Sequence, residues 1–460
     1  MQPSNNTNLH GRRVGILGAG MTGLTAAFYL LRAGADVTIL EAQPQVGGLS
    51  TYFDFGPFTW DKFYHCILAS DRPLLKLVGE LGLSQELRWT KTKVGLFADG
   101  ALHSMSSSLD FLRFPGLNLW QKFRLGAGIV YASRIRDGQA LEAELAVDWL
   151  TRIFGKNNYE RMWGPLLKCK LGACREEASA AFIWATISRL YSTRRDSADR
   201  SECLGYVRGG YRTIAGRLLS EIEGMGGKVL TGCPVKKIWA NGSIDCRMGN
   251  QSLQFDNVIS TLPSPILKKV TPQLAREYAE KLDKMKYLGV ICFALVLKRS
   301  LSPYYVTNLV DEVPFTGVVE MTNLVSREET ATMHLVYLPK YTTPGDPLFD
   351  AQEKDIWQLF QKSLLRVVPG LKDTDIEGRF LFRERFVQPV PVLGYSTLVP
   401  SMTTGVPGLI QANSTRIINS TLNNNEMVKI AQQAADLIAA LPRQAVPASN
   451  VIAELFIPKS

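Results

Sequence analysis

Gly18, Gly20 and Gly23, in the run Gly18-Ala19-Gly20-Met21-Thr22-Gly23, have the spacing with which a backbone grips a diphosphate. Each glycine meets a separate demand. Gly18 permits a tight turn, Gly20 lets the backbone approach a pyrophosphate with no Cβ between them, and Gly23 lets a following helix lie close on a strand. The phosphates then face unpaired N–H groups at a helix N-terminus, where Met21 and Thr22 contribute first-turn amides. Glu41, followed by Ala42, stands about 20 residues further on, where a carboxylate accepts hydrogen bonds from ribose hydroxyls. The same charge repels a 2′-phosphate. The chemistry implied is dinucleotide binding, with NADP excluded.

The elements that must position these groups are legible around them. Arg12–Leu17 is a short apolar run suited to a buried parallel strand, and Leu24–Leu31 is apolar throughout, as a helix packed on a sheet would be. Asp36–Leu40 reads as the second strand and delivers Glu41 at its end. Val14–Leu31 is uncharged and superficially resembles a membrane span, but its glycines divide it into strand, turn and helix.

Just beyond the acid, Pro44–Thr51 carries the pair Gly47-Gly48, then Leu49 and Ser50. This resembles the second fingerprint of the FAD-dependent amine oxidase and protoporphyrinogen oxidase superfamily, with Gln45 where those enzymes usually carry Arg. The likeness continues at intervals along nearly the whole chain. Gly205–Tyr211 leads into an amphipathic stretch, and Pro234–Ile238 resembles the block whose residue at Val235 contacts adenine through its backbone. Asn241-Gly242 marks a hairpin turn, and Phe255–Pro263, with Thr261, resembles a strand beside the flavin. Pro407–Asn413 resembles the last strand of the FAD domain. A helix over Glu426–Leu441 follows, capped from Asn423–Asn425. Ala412-Asn413 replaces the family's Gly-Glu or Gly-Asp, and Asn413 still offers a hydrogen bond to the ribityl phosphate.

The resemblance implies FAD as cofactor, no metal, and an α/β fold: a Rossmann-type FAD-binding domain interleaved with an α+β substrate domain. The first would comprise residues 1–88, 201–263 and 373–460, the second residues 89–200 and 264–372. The implied activity is hydride transfer from a largely apolar isoprenoid-, porphyrinogen- or amine-type substrate to flavin N5. A redox-neutral flavin mutase for a nucleotide sugar is the second reading, with Arg208 and Arg212 as its diphosphate site. A non-catalytic lipid carrier resembling the GDP-dissociation inhibitors is the third.

Candidate groups for the chemistry are few. Tyr64 and His65 follow the glycine pair where relatives pass under the isoalloxazine; a structural histidine is the plainer alternative for His65. Glu320 and Asn323 are polar in an otherwise apolar segment, either facing substrate or ending a strand in solvent. Lys170, with Lys168, either binds an anionic group near the flavin or is an ordinary surface lysine. Trp163, Trp184, Tyr191, Tyr337 and Tyr341 line an apolar pocket or simply fill the core. Phe111–Arg136 carries five basic residues and no acid among aromatic and aliphatic ones, so it either lies on an anionic membrane surface or forms a soluble lid.

Composition sets outer limits. With 460 residues, 46% of them apolar, the chain can bury two or three cores. The net charge of +10 favours an anionic partner, yet no basic block or aromatic-interleaved stripe suggests nucleic acid. Seven scattered cysteines and four histidines fit reduced thiols rather than a disulfide frame or metal site, hence a cytoplasmic setting, with or without membrane contact. No signal-peptide pattern opens the chain. Composition leaves the oligomeric state open.

Overall fold

A computed structural model describes residues 9–195, 203–240, 244–248 and 251–442. The Asn241-Gly242 turn and the Tyr191 side chain lie outside the described residues. The N-terminal run divides as its glycines demand, into a strand over Arg13–Leu17 and a helix over Met21–Arg32. No helix among the described residues is long and apolar enough to cross a membrane.

That first strand sits at the centre of a five-stranded parallel sheet. Asn257–Ser260 and then Leu409–Gln411 lie on one side, Asp36–Leu40 and then Lys228–Leu230 on the other. Parallel strands covered on both faces must be apolar throughout, and the sequence supplies this with Val14, Ile16, Val37, Ile39, Val258 and Ile259, all fully buried. The helices Met21–Arg32, Tyr211–Gly224 and Asn424–Ala440 pack into one core against it.

The second body is a seven-stranded sheet ordered Ile376–Pro389, Tyr287–Leu297, His334–Thr342, Gly317–Glu320, Val306–Leu309, Val94–Ala98 and Ala101–Ser104. All of Tyr287–Leu297 is buried, because both of its faces are covered. Ile291, Phe293 and Leu295 face the helix Glu353–Val367, while Val290, Cys292 and Ala294 face the hairpin that follows the glycine pair. Ile376–Pro389 departs from the expected division at residue 373. It pairs antiparallel with Tyr287–Leu297 along most of its length and so belongs to this sheet, not to the parallel one.

Helices close one end of the large sheet, among them Leu119–Arg134, Ala146–Phe154, Gly164–Leu171 and Ala180–Arg195. Gly126 and Gly128 do not break the Leu119–Arg134 helix. A Cβ at Gly128 would sit 2.5 Å from the Phe154 ring, so that glycine is what lets the helix lie against Phe154. Gly126 faces open space. The two positions therefore give opposite expectations. Gly126→Ala should raise Tm, since helix propensity alone acts there and contributes about 1 kcal/mol. Gly128→Ala should lower it, because overpacking beside the fully buried Phe154 costs about 1–3 kcal/mol and outweighs the same gain. Equal shifts of the same sign in thermal unfolding would overturn this packing.

Candidate functional site

The glycine loop has no room for side chains where it turns. Gly18 has φ +100°, and a Cβ there would lie 2.3 Å from the Thr261 hydroxyl, which itself donates to Leu17 O at 2.7 Å. A Cβ on Gly23 would lie 1.9 Å from Gly18 O. Gly20 caps the Met21–Arg32 helix without any side-chain hydrogen bond, and the helix has no acid in its first turn. The amides around Met21 and Thr22 thus face forward with the positive end of the dipole unneutralised.

The second glycine pair meets the first loop directly. Gly47 N–H donates to Ala19 O at 2.8 Å, and a Cβ at Gly48 would sit 3.0 Å from Gly20 Cα. Glu41 is buried at the junction, accepting from Ala19 N–H at 2.7 Å and Gln43 N–H at 2.8 Å. Each oxygen keeps a lone pair for a further donor. Ala42 is exposed beside it. Cys233 N–H donates to Glu41 O, which brings half-buried Val235 to the same edge. Leu49 is half-buried, and Ser50 exchanges hydrogen bonds of 3.0–3.1 Å with Asn424 in the first turn of the Asn424–Ala440 helix.

Asn413 is spent differently from the expectation. Its amide donates to Leu262 O at 2.6 Å and its oxygen accepts from Thr415 N–H and Oγ1, so it ties two strand ends together. Both lone pairs of that oxygen are used within the protein.

The cradle of Cβ-free backbone, the uncapped helix start and the buried Glu41 fit a dinucleotide's diphosphate and ribose. A family model for flavin-containing amine oxidoreductases matches residues 21–416. The chain belongs to that family. Its cofactor is FAD, which when bound supplies a two-electron acceptor. Among curated relatives, the 15-cis-phytoene desaturase of Narcissus pseudonarcissus is 23% identical over 78% of this chain and 66% of its own length. The protoporphyrinogen oxidase of Bos taurus is 27% identical over 61% of this chain and, again, 66% of its own length. The chain thus spans just under two thirds of the length of these relatives. The solved cyclohexylamine oxidase of Brevibacterium oxydans IH-35A is 16% identical with a TM-score of 0.68, over 93% of this chain and 99% of that one; it shares the fold.

Beyond the glycine pair, residues 61–65 run between the Tyr211–Gly224 helix and the large sheet. Asp61 and His65 face the Tyr211–Gly224 helix. Asp61 accepts from Tyr211 N–H at 3.0 Å, His65 Nδ1 lies 3.6 Å from Asp61, and the His65 and Tyr211 rings are 5.0 Å apart. Burial pushes the Asp61 carboxyl above its usual range, while His65 and the helix amides pull it back. The cavity beside them measures about 10 Å³, room for a water at most. The structure thus sets His65 against Asp61 and Tyr211.

Phe63 and Tyr64 meet the large sheet, Phe63 through the Phe382 ring 6.1 Å away. Tyr64 OH meets Tyr341 OH at 3.1 Å, and the Tyr64 and Tyr337 rings lie 6.2 Å apart. Burial raises all three phenols, so they stay protonated. Lys170 reaches open space yet is surrounded by protein, and that desolvation lowers its ammonium. It has no ion pair among the described residues. Lys168, by contrast, is an exposed partner of Glu312.

Glu320 and Asn323 depart from the substrate-facing expectation. Glu320 is fully buried, accepting from Leu301 and Ser302 N–H at 3.1 Å and lying 3.3 Å from His334. Asn323 donates to Ser302 O and Tyr304 O, each at 2.9 Å. Together they supply the partners that the Leu301–Tyr304 loop lacks within the sheet. Arg208 lies between Glu86 and Glu329, and Arg212 stacks over Tyr52, so the proposed diphosphate pair is already engaged. Trp163 and Trp184 pack in the helical core.

Sequence reasoning assigned no role to Asp61, Lys62 or Glu384. The signal for Glu384 was present: in Phe380-Leu381-Phe382-Arg383-Glu384-Arg385-Phe386, strand alternation sets one acid in a row of phenylalanines. Two outcomes check this site. Glu41→Ala should reduce FAD retained through gel filtration by ~10-fold or more, since charge-assisted hydrogen bonds contribute about 1.5–3 kcal/mol. Asp61→Ala should lower Tm, at a cost of about 1–2 kcal/mol for the lost cap, while FAD retention stays within about twofold.

Proposed function

We propose that the chain is an FAD-dependent oxidoreductase that removes a hydride from a largely apolar substrate of isoprenoid, porphyrinogen or amine type. The observation that carries this reading is the sheet face opposite Tyr64. It is built on buried Val290 and Cys292 and on Phe382 beneath the hairpin rings, with the Tyr64 and Tyr341 hydroxyls meeting at one point. An apolar body needs such a wall, and hydride transfer to a flavin needs little acid–base machinery. The phytoene desaturase and protoporphyrinogen oxidase relatives carry names of apolar substrates, which supports the same class.

A second observation favours delivery from an anionic membrane surface over a soluble lid. The Leu119–Arg134 helix buries Leu125, Gly128 and Ala132 and turns Leu119, Trp120, Phe123, Val130 and Tyr131 outward. Trp120 and Phe123 are stacked, 68% and 65% exposed, and the preceding helix adds exposed Leu109 and Leu112. Arg113, Arg134 and Arg136 stand exposed around them. A lid would turn these side chains toward the cavity. An outward apolar face rimmed by cations suits an anionic lipid interface.

Anaerobic mixing of the FAD-loaded chain with isoprenoid, porphyrinogen and amine candidates tests the activity. Bleaching of the flavin by an apolar candidate is the expected result; turnover of a nucleotide sugar by reduced enzyme with no acceptor would overturn it. For the surface, sedimentation with phosphatidylserine-containing vesicles should exceed that with phosphatidylcholine alone. A Trp120→Ser/Phe123→Ser variant should lose ~10-fold or more, since burying each ring contributes about 1.5–3 kcal/mol. Vesicle binding unchanged in that variant would remove the patch from the proposal.

A further inference from the structure

Asp61 is pinned at both ends. Its Oδ1 accepts from Tyr211 N–H at 3.0 Å, and a Cβ placed on Gly210 would lie 2.8 Å from that oxygen. Its main-chain oxygen accepts from the Tyr337 hydroxyl of the large sheet. The other carboxylate oxygen, Oδ2, stands 3.6 Å from His65 Nδ1. That separation exceeds a hydrogen bond, and a polar contact of this length is commonly completed by a water between the two atoms.

The surroundings hold room and partners for one. Trp60, Asp61 and His65 line a single cavity of about 10 Å³, roughly one water-sized sphere. His65 Nδ1 and Trp60 Nε1 are both buried with no hydrogen-bond partner among the described residues. Buried polar atoms are rarely left so. Trp60 is 1% exposed and the Asp61 side chain 2%, so bulk solvent does not serve them. A buried water makes about three hydrogen bonds, which matches two ring nitrogens and one carboxylate oxygen. The Tyr206 hydroxyl on the same wall is already engaged by Ser326 N–H at 3.1 Å. Nothing larger than a water fits.

We infer that one buried water in this cavity joins Asp61 to His65 and, with the carboxylate, holds the imidazole in its Nδ1–H form. Asp61 is thus a positioning residue that acts through His65, whatever the substrate class. The charge decides the tautomer. An Nδ1 lone pair turned toward a carboxylate 3.6 Å away would set two acceptors face to face, whereas an N–H there is attracted. Burial opposes the charge on Asp61, but the Tyr211 amide and the start of the helix behind it favour the charge. The consequence lies at the other ring nitrogen. Nδ1 is enclosed, so the 19% of the His65 side chain that stays exposed belongs to the rest of the ring, which includes Nε2. Nε2 then accepts a hydrogen bond or a proton from a bound molecule and has none to give.

The test uses the full chain loaded with FAD and labelled with nitrogen-15 at histidine. The chain has four histidines, and His65→Gln identifies the His65 signals by their loss. At about pH 8.5, above the ordinary imidazole pKa of about 6.5, His65 Nδ1 should carry the proton and Nε2 should not. Asp61→Asn keeps an oxygen for Tyr211 N–H and sets an amide NH₂ toward the cavity, so the proton should move to Nε2. A histidine that only fills space would keep one tautomer in both proteins. A crystal structure of the loaded chain should show one water within hydrogen-bond distance of His65 Nδ1 and Asp61 Oδ2. The Nε2–H form in the unaltered chain, an unchanged tautomer in Asp61→Asn, or a dry cavity would each overturn the inference. Where Asp61→Asn does not fold, the tautomer and the crystal water of the unaltered chain still decide it.

Discussion

Two stretches of backbone without Cβ atoms meet where the first glycine loop touches the second. A methyl at Gly48 would sit 3.0 Å from Gly20 Cα, and one at Gly23 would sit 1.9 Å from Gly18 O. The second contact admits no side chain and the first only if Gly20 gives way, so sterics limit the approach. Everything downstream takes its position from it. The chain leaving Gly48 is tied to the Asn424–Ala440 helix by Ser50, then folds into a hairpin whose phenylalanines lie on the large sheet. The contact that shapes the phosphate cradle thus also aims the wall of the cleft.

The segment from Asp61 to His65 turns that aim into chemistry. It touches the parallel-sheet body through Asp61 and His65 and the antiparallel one through Phe63 and Tyr64. On the first side, Asp61 accepts from the Tyr211 amide and His65 lies close to Asp61. On the second, Tyr64 meets Tyr341. Tyr337 donates to Asp61 O and so joins the two sides through one residue.

How much of this was legible depended on how local the cause was. The strand, loop and helix from Arg13 to Arg32 follow from glycine sterics and unbroken apolar runs. The expected boundary at residue 373 separates Ile376–Pro389 from its sheet, because its partner lies some ninety residues earlier and alternation names a face but not a neighbour. Asn413 and Asn323 look like ligand-binding groups in sequence, yet each satisfies backbone groups brought near only by the fold. The length of the Leu119–Arg134 helix was obscured by Gly128, whose reason is the distant Phe154 ring.

The carboxylates show why burial alone does not mark a functional acid. Glu41, Asp61 and Glu320 are all buried, and each accepts from backbone amides at a place where the chain turns without a sheet partner. Such amides would be left unpaired if the acid were removed, so these three carboxylates hold structure, and only Glu41 also lies where a ribose would bind.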